Sequence, residues 1–275
     1  MKKYCFIGYG SMAKMLIAGF LETAVLKPEE IVVATRTKSK LLELADKWPG
    51  VNAAANNGAA VQESKYIFLC VKPLEIKGVM EEIRPYLGAE THVISIAACV
   101  TLADLGTVYQ GQITKAIPTF ISAVGEGITL LCHNSKVSPE NKNRIEKLFG
   151  TLSTVKNIRE ENFEIAADLT SCAVGFIAAI AREFVAAGVR QSTLSRSEAE
   201  EMVRKTVYGT AKLFAVQDSS FNEIIARVAT PGGITEEGVK VLQKGLPFVF
   251  DTVLEKTLAK HDGVKGLVGA QFKRK

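Results

Sequence analysis

Two glycine-bearing turns carry the residue types best suited to hold an anion. In GYGSMA (8–13), Gly8 and Gly10 leave backbone N–H groups open where helix-like sequence begins, with Ser11 and Met12 completing the loop. In TPGGIT (230–235), Pro231 fixes one φ angle, Gly232 and Gly233 free the backbone after it, and Thr230 and Thr235 add hydroxyl donors. The unpaired N–H groups and the dipole of a helix's first turn favour negative charge, so either turn can cradle a phosphate or a carboxylate. Either can equally be helix punctuation, because Thr-Pro and Gly-Gly are ordinary turn signals. The surrounding elements decide.

Around the first turn the chain alternates short apolar runs with helical patterns. YCFIG (4–8), IVVAT (31–35), YIFLCV (66–71), HVISIA (92–97), ITKAI (113–117) and GITLLC (127–132) read as strands. Helical patterns follow the first three, over 12–21, 39–47 and 74–87. Uninterrupted apolar strands of this kind are buried on both faces of a mainly parallel sheet, so the expected fold class is α/β, a doubly wound Rossmann-like sheet. In that setting the first turn is a dinucleotide fingerprint. Gly8 makes the tight turn, Gly10 lets backbone approach a pyrophosphate, and Ala13 packs the helix close to the strand.

The end of the second strand selects the dinucleotide. An acid there would accept the ribose 2′-hydroxyl of NAD. ATRTK (34–38) has none; Thr35, Arg36 and Thr37 instead suit a 2′-phosphate, and the expected cofactor is NADP. Lys72, at the carboxyl end of the third strand, lies where such sheets bind ligands, although a lysine before a proline also serves as a solvated turn charge.

From about residue 160 helical patterns take over. Residues 161–189 form a mostly apolar stretch, expected as a buried helix or a broken pair. Ser195 and Glu198 form a capping box opening a helix with Val203, Val207, Ala211 and Phe214 at helical spacing. A shorter helix precedes TPGGIT, and a last one is expected from about Pro247 to His261. The boundary is placed at residue 158, giving an NADP-binding domain, 1–158, and a helical dimerisation and substrate domain, 159–275. So apolar a helical domain is expected to pair with a second copy.

Composition narrows the partners. The 275 residues are 47% hydrophobic and 23% charged, with a net charge of +5 and no basic stripe interleaved with aromatics, so nucleic acid is not an expected partner. No uninterrupted apolar run reaches the roughly 20 residues of a membrane helix, and neither a membrane nor a cleavable leader is expected. The five cysteines lie far apart without a CxxC, which predicts free thiols in a reducing cytoplasm. The three histidines are scattered in sequence, and no metal site is expected.

GYGSMA (8–13), FLCVKP (68–73), SIAA (95–98), GEG (125–127) and TPGGITEEGVKVLQKG (230–245) come in an order that resembles the pyrroline-5-carboxylate reductase family over nearly the whole chain. The resemblance implies an NADPH-dependent reductase of a cyclic imine, with an imino-acid substrate and a site completed by both chains of a homodimer. It places Gly8, Gly10, Ser11 and Met12 in the phosphate loop, Thr35 and Arg36 at the 2′-phosphate, and Asn57 near the adenosine ribose. Val71, Lys72 and Pro73 fall beside the nicotinamide, and Ala97 and Ala98 along the cofactor. Thr230, Gly232, Gly233 and Thr235 fall at the substrate carboxylate. Thr235 and Lys72 are the candidate catalytic residues, Thr235 as a hydrogen-bonding partner of the ring nitrogen.

The family's SGSGPAY reads TSCAVGF at 170–176, so Phe176 stands in place of a phenol. Its MPNTP reads IPTFI at 117–121, with Thr119 in place of an asparagine, and Cys99 replaces a glycine. These changes leave open a paralogue acting on another cyclic imine or imino acid, or a nonenzymatic NADP-binding regulatory protein.

Overall fold

A computed structural model describes residues 4–217 and 220–273. The chain forms two compact units, one taking the chain up to Ser171 and again from Thr257, the other Cys172–Lys256.

The first unit is built on an eight-stranded sheet. Its strands are β1 (Tyr4–Ile7), β2 (Ile31–Ala34), β3 (Asn52–Ala53), β4 (Tyr66–Leu69), β5 (His92–Ser95), β6 (Gln112–Ile117), β7 (Ile128–His133) and β8 (Thr154–Asn157). Their order is β3-β2-β1-β4-β5-β6-β7-β8, parallel throughout except between β6 and β7. This is the expected doubly wound α/β sheet. The helices of this unit's amino-terminal part are α1 (Ser11–Glu22), α2 (Lys38–Lys47), α3 (Asn57–Gln62), α4 (Ile76–Ile83), α5 (Leu102–Val108) and α6 (Pro139–Gly150), and α7 (Phe163–Ala167) follows β8.

Because successive side chains of a strand point to opposite faces, the fully buried β1 feeds two cores. Tyr4 and Phe6 pack with Leu16, Ile17 and Phe20 of α1 and Ile145, Leu148 and Phe149 of α6. Phe6 stacks on Phe68 at 4.6 Å and Tyr4 on Tyr66 at 5.0 Å. Cys5 and Ile7 pack on the other face with Val61, Ile76, Met80 and Ile83, and Val264 and Val268 join them from the chain's last helix.

Polar ties hold the segments after residue 158 in this unit. Lys115 on β6 is fully buried, and its ammonium sits 3.0 Å from a Glu160 carboxylate oxygen and 4.8 Å from the Phe163 ring centroid. Buried Asp168 accepts from the Thr257 hydroxyl at 2.6 Å and lies 3.3 Å from His261 Nε2. The units therefore part later than residue 158, at 171, and the chain re-enters the sheet unit at 257.

The second unit holds α8 (Ala173–Arg190), α9 (Arg196–Gln217), α10 (Phe221–Val228) and the first part of α11 (Ile234–Lys273). Ser195 and Glu198 make the expected reciprocal cap on α9. Two expectations are corrected. The last helix runs 40 residues rather than from Pro247 to His261, carrying Pro247 inside it. The proline removes one N–H, and the Gln243 carbonyl it would have served belongs to an exposed residue, so the lost bond is not left in a buried core. The 161–189 stretch is buried only in its first part: Phe163, Glu164, Ala167 and Asp168 are buried, but beyond a π turn (Asp168–Cys172) the chain enters α8, where Val185 is the buried residue. The helical segment Glu160–Arg190 is long and apolar enough to cross a membrane by length and composition alone, with a mean hydropathy of 1.8.

Candidate nucleotide site

A cleft of about 600 Å³ opens at the carboxyl ends of β1, β2 and β4, where doubly wound sheets bind ligands. Gly8 and Gly10 line it beside Thr35, Arg36, Asn57, Val71 and Lys72.

The two glycines are there for different reasons. Gly8 has φ +97°, and a Cβ would meet the Cys70 carbonyl oxygen at 2.5 Å, so the chain's own geometry demands glycine. At Gly10, φ is −87° and a Cβ would meet nothing within 4 Å. Nothing in the protein excludes a side chain there; what the missing Cβ provides is open backbone facing the cleft. Gly10 is also the N-cap of α1, which has no side-chain cap and no acid in its first turn. Its leading N–H groups are thus available to a phosphate. The arrangement fits a dinucleotide, with Gly8, Gly10 and Ser11 to hold the pyrophosphate.

At the other end of the cleft lie Thr35, Arg36, Thr37 and Lys40. Arg36 donates to Glu75 Oε1, and Glu75 Oε2 accepts the Lys72 backbone N–H at 3.2 Å. Burial pushes the Glu75 carboxyl up, but the Arg36 and Lys72 hydrogen bonds with the charges of both outweigh it, and the group titrates below its ordinary range. Asn57, in the first turn of α3, donates to Glu82 at 2.8 Å. The cations Arg36, Lys40 and Lys72 and the acids Glu75 and Glu82 share one cleft.

Ser11, Met12, Pro73, Ala97 and Ala98 are not among the lining residues. Ser11 is exposed at the start of α1, whereas Ala97 is buried in the core behind the sheet. Sequence reasoning missed Tyr9, Lys40, Glu75 and Glu82. Glu75 carried a signal, since it stands three residues after Lys72, with Pro73 between, in the spacing at which an N3 glutamate reaches back to the N-cap N–H, and the structure forms that bond.

In the helical unit, the turn before α11 has Gly232 at φ +73°, and a Cβ on Gly233 would lie 2.8 Å from Thr230 Oγ1 and 2.9 Å from its carbonyl. The Gly233 N–H closes the turn on the Thr230 carbonyl at 2.9 Å. The Gly232 N–H donates to the Glu236 carboxylate at 2.9 Å, and Lys240 lies 3.2 Å from the same carboxylate. Thr230 and Thr235 are exposed. Of the departures, Thr119 is fully buried and its hydroxyl has no partner among the described residues. The histidines are not scattered in space: His92 and His133 meet on the two sides of the Thr114 hydroxyl.

A parallel sheet with an open glycine turn on a helix N-terminus, and a basic rather than acidic end to its second strand, defines an NADP-dependent oxidoreductase. The comparisons agree. The family model for NADP oxidoreductase, coenzyme F420-dependent, matches residues 3–99, and that for pyrroline-5-carboxylate reductase dimerisation matches residues 160–263. Pyrroline-5-carboxylate reductase 3 of Bacillus subtilis (strain 168) is 39% identical over 98% of this chain and 100% of its own. A pyrroline-5-carboxylate reductase structure from Coxiella burnetii superposes with a TM-score of 0.87 at 28% identity, over 96% of this chain and 98% of that one. A Plasmodium falciparum pyrroline carboxylate reductase with NADP bound gives 0.85 at 23% identity over the same shares. The chain belongs to the pyrroline-5-carboxylate reductase family.

Proposed function

We propose that the protein reduces 1-pyrroline-5-carboxylate to proline with NADPH, working as a cytoplasmic homodimer whose helical domain supplies the substrate site. The observation that carries the substrate class is the Gly232 N–H, which already holds a carboxylate, that of Glu236. A turn that presents N–H groups at the head of a 40-residue helix suits the single carboxylate of a small imino acid. In this reading the substrate carboxylate takes the place of Glu236 on the Gly232 N–H beside Thr230, while Gly233 keeps its N–H on the Thr230 carbonyl and so shapes the turn, and the exposed Thr235 hydroxyl bonds to the ring nitrogen and steers its proton.

NADPH, when bound, supplies the hydride. The chain's residues do the rest. Gly8, Gly10, Ser11 and Met12 hold the pyrophosphate, Thr35 and Arg36 the 2′-phosphate, and Asn57 the adenosine ribose. Val71, Lys72, Pro73 and Ala98 lie along the nicotinamide side, with Lys72 free to touch cofactor or substrate, while Ala97 packs in the core. With no acid in the set, catalysis rests on orientation, which contributes roughly 7–11 kcal/mol in well-aligned cases. Neither nucleic acid nor a membrane enters this reading. The apolar faces of α8 and α9 are the dimer surface, in keeping with the match of residues 160–263 to a dimerisation family.

The test is NADPH oxidation with pyrroline-5-carboxylate against a panel of cyclic imines. Thr235→Ala is expected to lower kcat at least tenfold and leave the NADPH Kd unchanged; unaltered steady-state kinetics would remove Thr235 from the mechanism. Phe176 and Thr119 favour a second reading, a different ring, because both replace polar groups of the family pattern. Turnover of another imine but not of pyrroline-5-carboxylate would select it.

A further inference from the structure

We infer that Glu75 sets the cofactor selectivity of the cleft by competing with a ribose 2′-phosphate for Arg36. The inference rests on the reading of Arg36 as the 2′-phosphate residue.

The geometry is specific. Both Glu75 oxygens are engaged, one on the Arg36 guanidinium and one on the Lys72 N–H. The second bond ties the carboxylate back to the N-cap of the short turn Pro73–Glu75, so it is anchored on the cleft wall. Arg36 differs. Its side chain is 87% exposed against 32% for Glu75, and the ion pair is the polar contact that fixes its direction. A mobile guanidinium is thus held by a fixed anion in the pocket where the cofactor's adenosine end would sit.

A 2′-phosphate entering beside Arg36 must share or displace that carboxylate, and it meets a fixed like charge within a few ångströms. NADH, with a neutral hydroxyl there, meets neither cost. An acid at the end of the second strand is the usual device for excluding the 2′-phosphate. Here an acid of comparable effect comes from the turn after β4 and acts through the arginine. It lowers a preference for NADPH without abolishing it, because an exposed ion pair is weak and easily exchanged.

The experiment measures Kd for NADPH and NADH by fluorescence titration of the full-length protein, with 2′,5′-ADP and ADP as probes of the adenosine end alone. Glu75→Gln keeps an oxygen for the Lys72 N–H and removes only the charge. It is expected to tighten NADPH and 2′,5′-ADP about three- to tenfold and to leave NADH and ADP within twofold. Arg36→Ala is expected to weaken NADPH at least tenfold, and adding Glu75→Gln to Arg36→Ala is expected to tighten NADPH less than Glu75→Gln does alone, because only the direct like-charge repulsion is then relieved. If Arg36→Ala weakens NADPH but Glu75→Gln leaves it within twofold, the inference about Glu75 is wrong and the reading of Arg36 stands. If Arg36→Ala itself has no effect, the reading of Arg36 falls and the inference with it. Equal tightening of NADH and NADPH by Glu75→Gln would also overturn it, since the charge would then act on a part common to both. Thermal melts of each variant confirm that the turn after β4 is intact.

Discussion

The sheet unit and the helical unit each set a glycine-bearing turn at a helix start, an arrangement we read as an anion site, in opposite states of packing. Around the first turn nearly every apolar side chain is buried, and β1, β2, β4 and β5 are covered on both faces. In Cys172–Lys256, Val185 and Ala199 are the buried hydrophobics, while Ile177, Phe184, Val207, Phe221 and Phe248 stand exposed. The glycines follow the same division. Gly10 is unconstrained by its own chain and open to a ligand, whereas Gly232 and Gly233 are both required by the turn they form. A single chain therefore completes the first site's scaffold, and the second's needs its apolar faces covered before it can be rigid.

The largest effect expected is the one that breaks that contrast. Ile177 and Phe184 are 54% and 67% exposed on α8 and lie seven residues apart, hence on one face. Ile177→Asp with Phe184→Asp is expected to leave the far-UV CD spectrum of the sheet unit intact, turn a dimer into a monomer in analytical ultracentrifugation, and abolish turnover. NADPH binding is expected to survive. A double variant that stays dimeric would show that the apolar face of α8 covers something other than a second copy.

The next prediction sharpens the contrast within the sheet unit. Gly8→Ala must push a Cβ against the Cys70 carbonyl at positive φ, at a cost of about 2–3 kcal/mol in denaturant melts. Gly10→Ala meets open space and is expected to change stability by less than about 0.5 kcal/mol while weakening NADPH at least tenfold. Comparable stability losses at both positions would mean that Gly10 serves the fold and not a ligand.

The reach of the sequence follows from these differences. Six of the eight strands were legible because central parallel strands are continuous apolar runs. The two-residue β3 and the β8 segment TVKN are not, one too short and the other exposed on its outer positions. Gly8, Gly10, Arg36 and Lys72 were legible because glycine spacing and strand ends are local signals. Lys40 and Glu82 reach the cleft only through the packing of α2 and α4, which no local pattern encodes, whereas Tyr9 comes to it with the two glycines that flank it. The length of α11 was obscured by Pro247, a local breaker overridden in an exposed helix. The return of the chain to the sheet unit was hidden for a related reason. It rests on Asp168 meeting Thr257 and His261 across some ninety residues of sequence.

The smallest effect tests a polar chain inside the well-packed unit. His92 Nε2 lies 2.6 Å from the Thr114 hydroxyl, which lies 2.8 Å from His133 Nδ1; His133 Nε2 lies 3.1 Å from Asn157 Oδ1. The Asn157 amide nitrogen donates to Glu146, which turns its oxygen toward His133. His133 must then donate from Nε2 and accept at Nδ1, so Thr114 donates to His133 and accepts from His92 Nε2. His92 Nδ1 is left as a buried lone pair with no partner among the described residues. A proton there has nothing to bond to. Burial first, then the charges of His133 and Lys65, push His92 down to about 3; burial also lowers His133, against its bond to Asn157. Both histidines titrate lower in the fold than the 6.5 or so of the unfolded chain, so their contribution is full above that pH and is lost as pH falls through the folded values, for His92 down to about 3. Between pH 7.5 and 5.5 His92 alone is expected to remove about 1.4 kcal/mol of unfolding free energy in urea titrations. His92→Gln, which cannot titrate, is expected to flatten that slope by the same amount even if it lowers stability at every pH. An unchanged slope in that variant would place the pH dependence outside the His92–Thr114–His133 chain.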